Sequence, residues 1–177
     1  MIRYAITDPS FFTTLKEKQN YLNSLKADYV LFRDKTTNRY KEQALDFLNI
    51  SKHMPFKRIL HSDYNLAYKL KADGVHLTSK QFKDIPKAKE LGLWTVISTH
   101  SLKEIEQAQK LGADAVTFSP IFHTPNKGKP KGIEELKKAV DSYDIDVIAL
   151  GGIIAQEHIN LVKESNAFGF ASIRYFL

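Results

Sequence analysis

The chain has 177 residues, 43% of them hydrophobic and 26% charged, a balance that fits one globular domain over residues 1–177 with a sizeable core. It has no cysteine, which excludes disulfides and thiolate metal sites, and no apolar run of about 18 residues that could span a membrane. The net charge of +6 suits an anionic small-molecule ligand; the basic residues are spread over helical stretches, so nucleic acid is not the expected partner.

Residues 1–8 are too short and too polar a stretch for a signal peptide, and with the absent cysteines this gives a cytoplasmic expectation. Apolar or β-branched runs predict strands at 2–6, 29–33, 58–61, 74–77, 95–98, 115–119, 147–150 and 168–173. Helical spacing lies between them, as in Leu102, Ile105, Ala108 and Leu111 or Ile159 and Val162. Ser101 and Glu104 read as a capping box at a helix start, and Gly92 and Gly112 as helix ends. The count is eight strands and seven helices.

One pattern recurs along this order. It reads Ala27-Asp28-Tyr29-Val30, Ala72-Asp73-Gly74-Val75, Ala113-Asp114-Ala115-Val116 and, degenerately, Ala167-Phe168-Gly169-Phe170, at spacings of 45, 41 and 54 residues. That period fits two βα units. Four double units make eight strands, so the expected fold is an α/β (β/α)8 TIM barrel, short and lacking the eighth helix. An uncovered flank where that helix would lie favours a homo-oligomer or another covering element.

A barrel of this kind carries its chemistry on the loops that leave the C-terminal strand ends. Gly151-Gly152 follows strand seven, where exposed amides and close backbone approach suit a phosphate. Arg33 and Lys35 sit on alternate positions at the end of strand two and face the same side, as a phosphate or diphosphate requires. Ser98-Thr99-His100-Ser101 ends strand five, with Ser101 read as a helix cap and His100 as an oriented structural residue. After strand six comes a lysine-bearing, Gly- and Pro-rich loop, residues 125–132, and just before it His123, a candidate for proton exchange at the rim. His76 reads as a packed core residue, and His53 and His158 as helix-surface residues. No spacing of histidines or carboxylates marks a metal site.

In this order the motifs resemble the thiamine phosphate synthase/TenI family. Tyr4-Ala5-Ile6-Thr7-Asp8 looks like its first strand, Phe32-Arg33-Asp34-Lys35 its L-R-E-K segment, and Ala72-Asp73-Gly74-Val75-His76-Leu77 its A-D-G-V-H-L. Ser98-Thr99-His100-Ser101 matches S-T-H-S. Pro120-Ile121-Phe122, with Thr124-Pro125 and Lys127, is similar to P-I-F-x-T-x-x-K, and Ala149-Leu150-Gly151-Gly152-Ile153 to A-I-G-G-I.

The resemblance implies a thiamine-pathway ligand. Synthases join hydroxymethylpyrimidine diphosphate to a thiazole phosphate with Mg²⁺ on the diphosphate; TenI relatives bind thiazole phosphates, and some tautomerise a carboxythiazole phosphate. Matching positions make Arg33 and Lys35 diphosphate or substrate contacts. They make Ser98, Thr124 and Lys127 pocket contacts, and put Gly151, Gly152 and Ile173 around the thiazole phosphate. Arg174 stands where the pattern has a serine and could neutralise phosphate or close the site, and Leu31 replaces a glutamine.

The synthase pattern has Asn-Asp after strand three, where this chain has His61-Ser62. It has G-Q-E-D after strand four, where this chain has Thr78-Ser79-Lys80-Gln81. Both acidic Mg²⁺ ligands of that pattern are therefore replaced, and Asp63 lies one position late. The tautomerase histidine of the pattern falls on Pro120, so His123 is the available substitute. The leading expectation is a TenI-like protein acting on or binding a thiazole phosphate, with no cofactor. The alternatives are an active synthase with a rebuilt Mg²⁺ site, and a non-catalytic phosphate-ligand binder or regulator.

Overall fold

The computed structural model describes residues 1–11 and 14–177. Eight parallel strands close into a barrel in sequence order: β1 (Ile2–Ile6), β2 (Tyr29–Phe32), β3 (Lys57–His61), β4 (Gly74–Leu77), β5 (Trp94–Thr99), β6 (Ala115–Phe118), β7 (Asp146–Leu150) and β8 (Gly169–Ser172). The crossovers carry α1 (Leu15–Ser24), α2 (Tyr40–Ile50), α3 (Tyr64–Lys69), α4 (Ile85–Glu90), α5 (Leu102–Lys110), α6 (Gly132–Ser142) and α7 (Gln156–Glu164). After β8 the described chain forms a 3-10 turn, Arg174–Phe176, whose Tyr175 and Phe176 rings pack on Phe170 at 5.4 and 5.9 Å. That turn covers part of the flank where the eighth helix of a full barrel would lie. No helix among the described residues is long and apolar enough to cross a membrane.

Strand alternation explains the two cores. Inward residues such as Tyr4, Ile6, Leu31, Ile59, Val96, Ile148 and Ala171 fill the barrel, while outward ones such as Val30, Leu60, Val75, Ile97, Val116 and Phe170 pack under the helices. Strands buried on both faces read as continuous apolar runs, which is why they were visible in the sequence.

The recurring Ala-Asp pattern has a structural cause. At the N-terminal ends of β2, β4 and β6 the aspartate carboxylate accepts a backbone amide from the preceding odd strand: Asp28 from Arg3 at 2.7 Å, Asp73 from Arg58 at 2.8 Å, Asp114 from Thr95 at 2.7 Å. The same aspartates pair with Arg3, Arg58 and Lys89. These clamps replace ladder bonds that strand ends lack. The fourth copy has Phe168 instead, and only its carbonyl takes part, accepting the Ile2 amide at 2.8 Å.

Helix ends follow the sequence signals. Gly92 and Gly112 have φ of +74° and +85°. Ser101 accepts the Glu104 amide, but the Glu104 carboxylate reaches the amide of His100 instead of Ser101, so the expected box is displaced by one residue.

Candidate functional site

The loops at the C-terminal strand ends enclose a cavity of about 790 Å³, inside the usual range for small-ligand sites. Arg33, Lys35, Ser98, Thr124, Lys127, Gly151, Gly152, Ile173 and Arg174 all line it, so nine residues scattered over the sequence meet in one place. His123 does not line it: its side chain is exposed, and only its carbonyl oxygen approaches the site, next to Gly152.

The cation side is built by the end of β2. The Arg33 amide donates to Thr7 Oγ1 at 3.1 Å, which fixes the strand exit. Asp34, between the two cations, turns away. Its Oδ1 accepts from Thr36 N, Thr36 Oγ1 and Thr37 N at 2.8, 2.8 and 3.1 Å. Burial alone would raise its pKa, but those hydrogen bonds and the Lys18 charge hold it below the ordinary carboxylate value. Neither Arg33 nor Lys35 has a carboxylate partner among the described residues. Partial burial, then the neighbouring charges of Arg33 and Lys127, push the Lys35 pKa down.

The glycine side is built by β7 and the strap after β6. Ile121 N donates to the Leu150 carbonyl at 2.9 Å and Phe122 N to that of Gly151 at 3.0 Å. The strap lies so close that a Cβ on Gly152, at φ +70°, would meet the His123 carbonyl oxygen at 2.5 Å and Phe122 at 2.7 Å. The Gly-Gly turn is therefore required by loop packing as well as by any ligand. The amides of Gly152, Ile173 and Arg174 donate to no protein group among the described residues. His158, read as a helix-surface residue, instead sets its ring against Phe122 with centroids 4.5 Å apart.

The floor is a buried polar chain. Tyr4 Oη lies 3.1 Å from His76 Nδ1, and His76 Nε2 lies 3.0 Å from Ser98 Oγ, with Thr117 Oγ1 at 3.5 Å. Burial, then His61 and the cations Arg33 and Lys35, lower the His76 pKa to about 3, so the ring is neutral. Ser98 presents the outer end of this chain to the cavity.

Two features were missed from the sequence. His61, at the end of β3, lines the cavity; strand alternation from the inward Ile59 would have placed it there. Ser62 and Gln81, from different loops, bind each other. Ser62 Oγ donates to Gln81 Oε1 and Gln81 Nε2 to the Ser62 carbonyl, both at 3.0 Å.

A family model described as thiamine monophosphate synthase matches residues 3–176. A protein of Aquifex aeolicus named putative thiamine-phosphate synthase 2 is 31% identical over 98% of this chain and 96% of its own length. A thiamine-phosphate synthase of Clostridium acetobutylicum is 30% identical over 96% of this chain and 84% of its own. The solved thiamine phosphate pyrophosphorylase of Pyrococcus furiosus superposes with a TM-score of 0.83 at 27% identity, covering 97% of this chain and 85% of that one. With a match that runs nearly from end to end and a barrel whose loop residues gather in one cavity, this chain belongs to the thiamine monophosphate synthase family.

Proposed function

We propose that this chain is a TenI-like member of the family, which binds or acts on a thiazole phosphate without Mg²⁺. The observation that carries the reading is the Ser62–Gln81 pair. By position these residues stand where the synthase pattern has its two acidic Mg²⁺ ligands. Mg²⁺ takes hard oxygen ligands and is usually held by one or two carboxylates plus substrate phosphate. Here both side chains are neutral and hydrogen-bonded to each other, with Gln81 Oε1 also accepting from Thr78 N and Thr78 Oγ1 at 3.0 Å. The near carboxylates are engaged elsewhere: Asp63 caps α3 through Leu66 N at 2.8 Å, and Asp84 accepts from Gln81 Nε2 at 3.3 Å. No group of three His, Cys, Asp or Glu side chains among the described residues could hold a metal. The residues do not fit Mg²⁺.

What remains suits an anion held directly. The free amides of Gly152, Ile173 and Arg174 and the Arg174 side chain can take a phosphate, as amide nests do. Arg33, Lys35 and Lys127 supply a second positive group across the cavity. Ser98, oriented through His76, can hydrogen-bond the ring between them.

The test is calorimetric binding of thiazole phosphate and of hydroxymethylpyrimidine diphosphate, each with and without Mg²⁺. The expected result is thiazole phosphate binding that Mg²⁺ does not change, and diphosphate binding that becomes Mg²⁺-dependent only in the Ser62→Asp/Gln81→Asp double variant. Robust Mg²⁺-dependent thiamine phosphate formation by the unaltered chain would favour the synthase reading, which the names of its relatives support. Binding without turnover of any thiazole substrate would favour a non-catalytic binder.

A further inference from the structure

We infer that His61 is the proton-transfer residue of this site, acting on a ligand whose anionic group is held by Arg33 and Lys35. The inference rests on the thiazole phosphate reading above and adds the acid–base group which that reading lacks.

Three observations converge on His61. First, its ring lines the cavity at the end of β3, while His123 stays outside. Second, neither of its ring nitrogens has a hydrogen-bond partner among the described residues; only its backbone amide is engaged, donating to Tyr40 Oη at 2.8 Å. Every fully buried polar side-chain atom in the described structure has a partner, so the unpaired nitrogens of His61 open onto the cavity. Third, the neighbouring histidine is not available. His76, with its ring centroid 6.5 Å away, has both nitrogens committed to Tyr4 and Ser98.

The strand exit is held rigidly, as a proton-transfer group requires. Tyr40 Oη accepts the His61 amide and donates to the Phe32 carbonyl at 2.9 Å, tying the ends of β2 and β3 together. Arg33 and Lys35, from the segment after β2, and His76 from β4 lie near the ring. Burial first, then Arg33 and Lys35, lower its pKa to about 4, so the free site holds a neutral imidazole.

The two cations make the chemistry conditional. Protonating His61 beside uncompensated Arg33 and Lys35 is opposed by like charge. A carboxylate or phosphate bound between those cations offsets their share of the opposition, while burial still acts, and so raises the basicity of the ring. His61 is therefore a stronger base once an anionic ligand is seated. In the step itself, a ring nitrogen of His61 takes a proton from a ligand carbon, and the C–H electron pair moves into the adjacent conjugated C=N system. The imidazolium then returns the proton to another atom of the same ligand. The ligand leaves isomerised, with nothing oxidised or reduced.

The test follows the non-aromatic carboxythiazole phosphate tautomer in deuterated water by NMR, reading isomerisation and deuterium uptake together, alongside calorimetric binding of thiazole phosphate. His61→Asn places the residue of the synthase pattern at this position. It should cut both rates by about 10²–10⁴-fold and leave thiazole phosphate affinity within a few-fold. His61→Ala should regain turnover when imidazole is added, which a merely structural role would not allow. An undiminished rate in His61→Asn, or unaltered protein that binds thiazole phosphate but neither isomerises the tautomer nor takes up deuterium, overturns this inference alone. Unaltered protein that does not bind thiazole phosphate overturns the functional reading and this inference with it.

Discussion

Replacing Gly152 with alanine separates the two reasons a glycine can be needed. Its φ of +70° disfavours any side chain, at a cost of roughly 1–2 kcal/mol for an L-residue in the left-handed region. Its Cβ would also meet the His123 carbonyl oxygen at 2.5 Å and Phe122 at 2.7 and 2.8 Å, and two of those three contacts are backbone. Backbone cannot swing aside as a side-chain tip can, so the strap must move, adding the typical overpacking cost of about 1–3 kcal/mol. Gly92 is the matched control: its φ is +74°, and nothing lies within 4 Å of the added Cβ. Gly92→Ala should therefore lose roughly 1–2 kcal/mol and Gly152→Ala about 2–5 kcal/mol. At this chain length each kcal/mol is worth about 2–4 °C in Tm. Urea and thermal unfolding measure both. Thiazole phosphate affinity should fall in Gly152→Ala alone, because the displaced strap carries Thr124 and Lys127. Equal stability losses in the two variants would refute the packing argument. A large loss with affinity intact would confine the glycine to loop packing.

Two further outcomes are expected. Tyr4→Phe leaves His76 Nδ1 without its partner at 3.1 Å in a fully buried site. Unfolding should show a loss of about 1–3 kcal/mol, and an unchanged stability would mean the Tyr4–His76 contact is not a hydrogen bond. His61 and His76 are both held below the ordinary value of 6.5, at about 4 and about 3. The unfolded chain therefore binds their protons first, and stability falls as pH drops from about 6.5 toward 4. The limiting slope is about 1.4 kcal/mol per pH unit for each ring. Urea unfolding between pH 5 and 6 should show a shallower slope in His61→Asn, and an identical slope would put the His61 pKa near its unfolded value.

Legibility followed the regular elements. Strands buried on both faces announce themselves by composition, and a residue directly after such a strand has little choice but the barrel mouth. That is why Arg33, Lys35, Gly151 and Arg174 could be placed without coordinates. His61 was equally accessible, since Ile59 and His61 share a strand face and the next inward position after Ile59 opens at the mouth. His123 was not legible in the same way. It lies on a strap whose path is set by hydrogen bonds to Leu150 and Gly151, about thirty residues later, and no local period reports which way its side chain turns. The Ser62–Gln81 pair joins two loops 19 residues apart and likewise leaves no local trace.

The strongest sequence signal and the chemistry lie at opposite ends of the barrel. The aspartates of the repeat bind backbone amides and cations at the N-terminal strand ends, where they hold strand pairs together. At the C-terminal ends the balance is reversed. Arg33, Lys35, Lys127 and Arg174 line the cavity, with Asp8 as the carboxylate among its lining residues. Loss of acidic groups at Ser62 and Gln81 and retention of those cations act in the same direction. Carboxylates there would need a divalent ion to tolerate a bound diphosphate, whereas a cavity without them attracts the anion directly. On the function proposed above, this arrangement favours a ligand with modest, separated negative charges over one with a metal-bridged diphosphate. On the same proposal His61 is a neutral base that the bound anion strengthens.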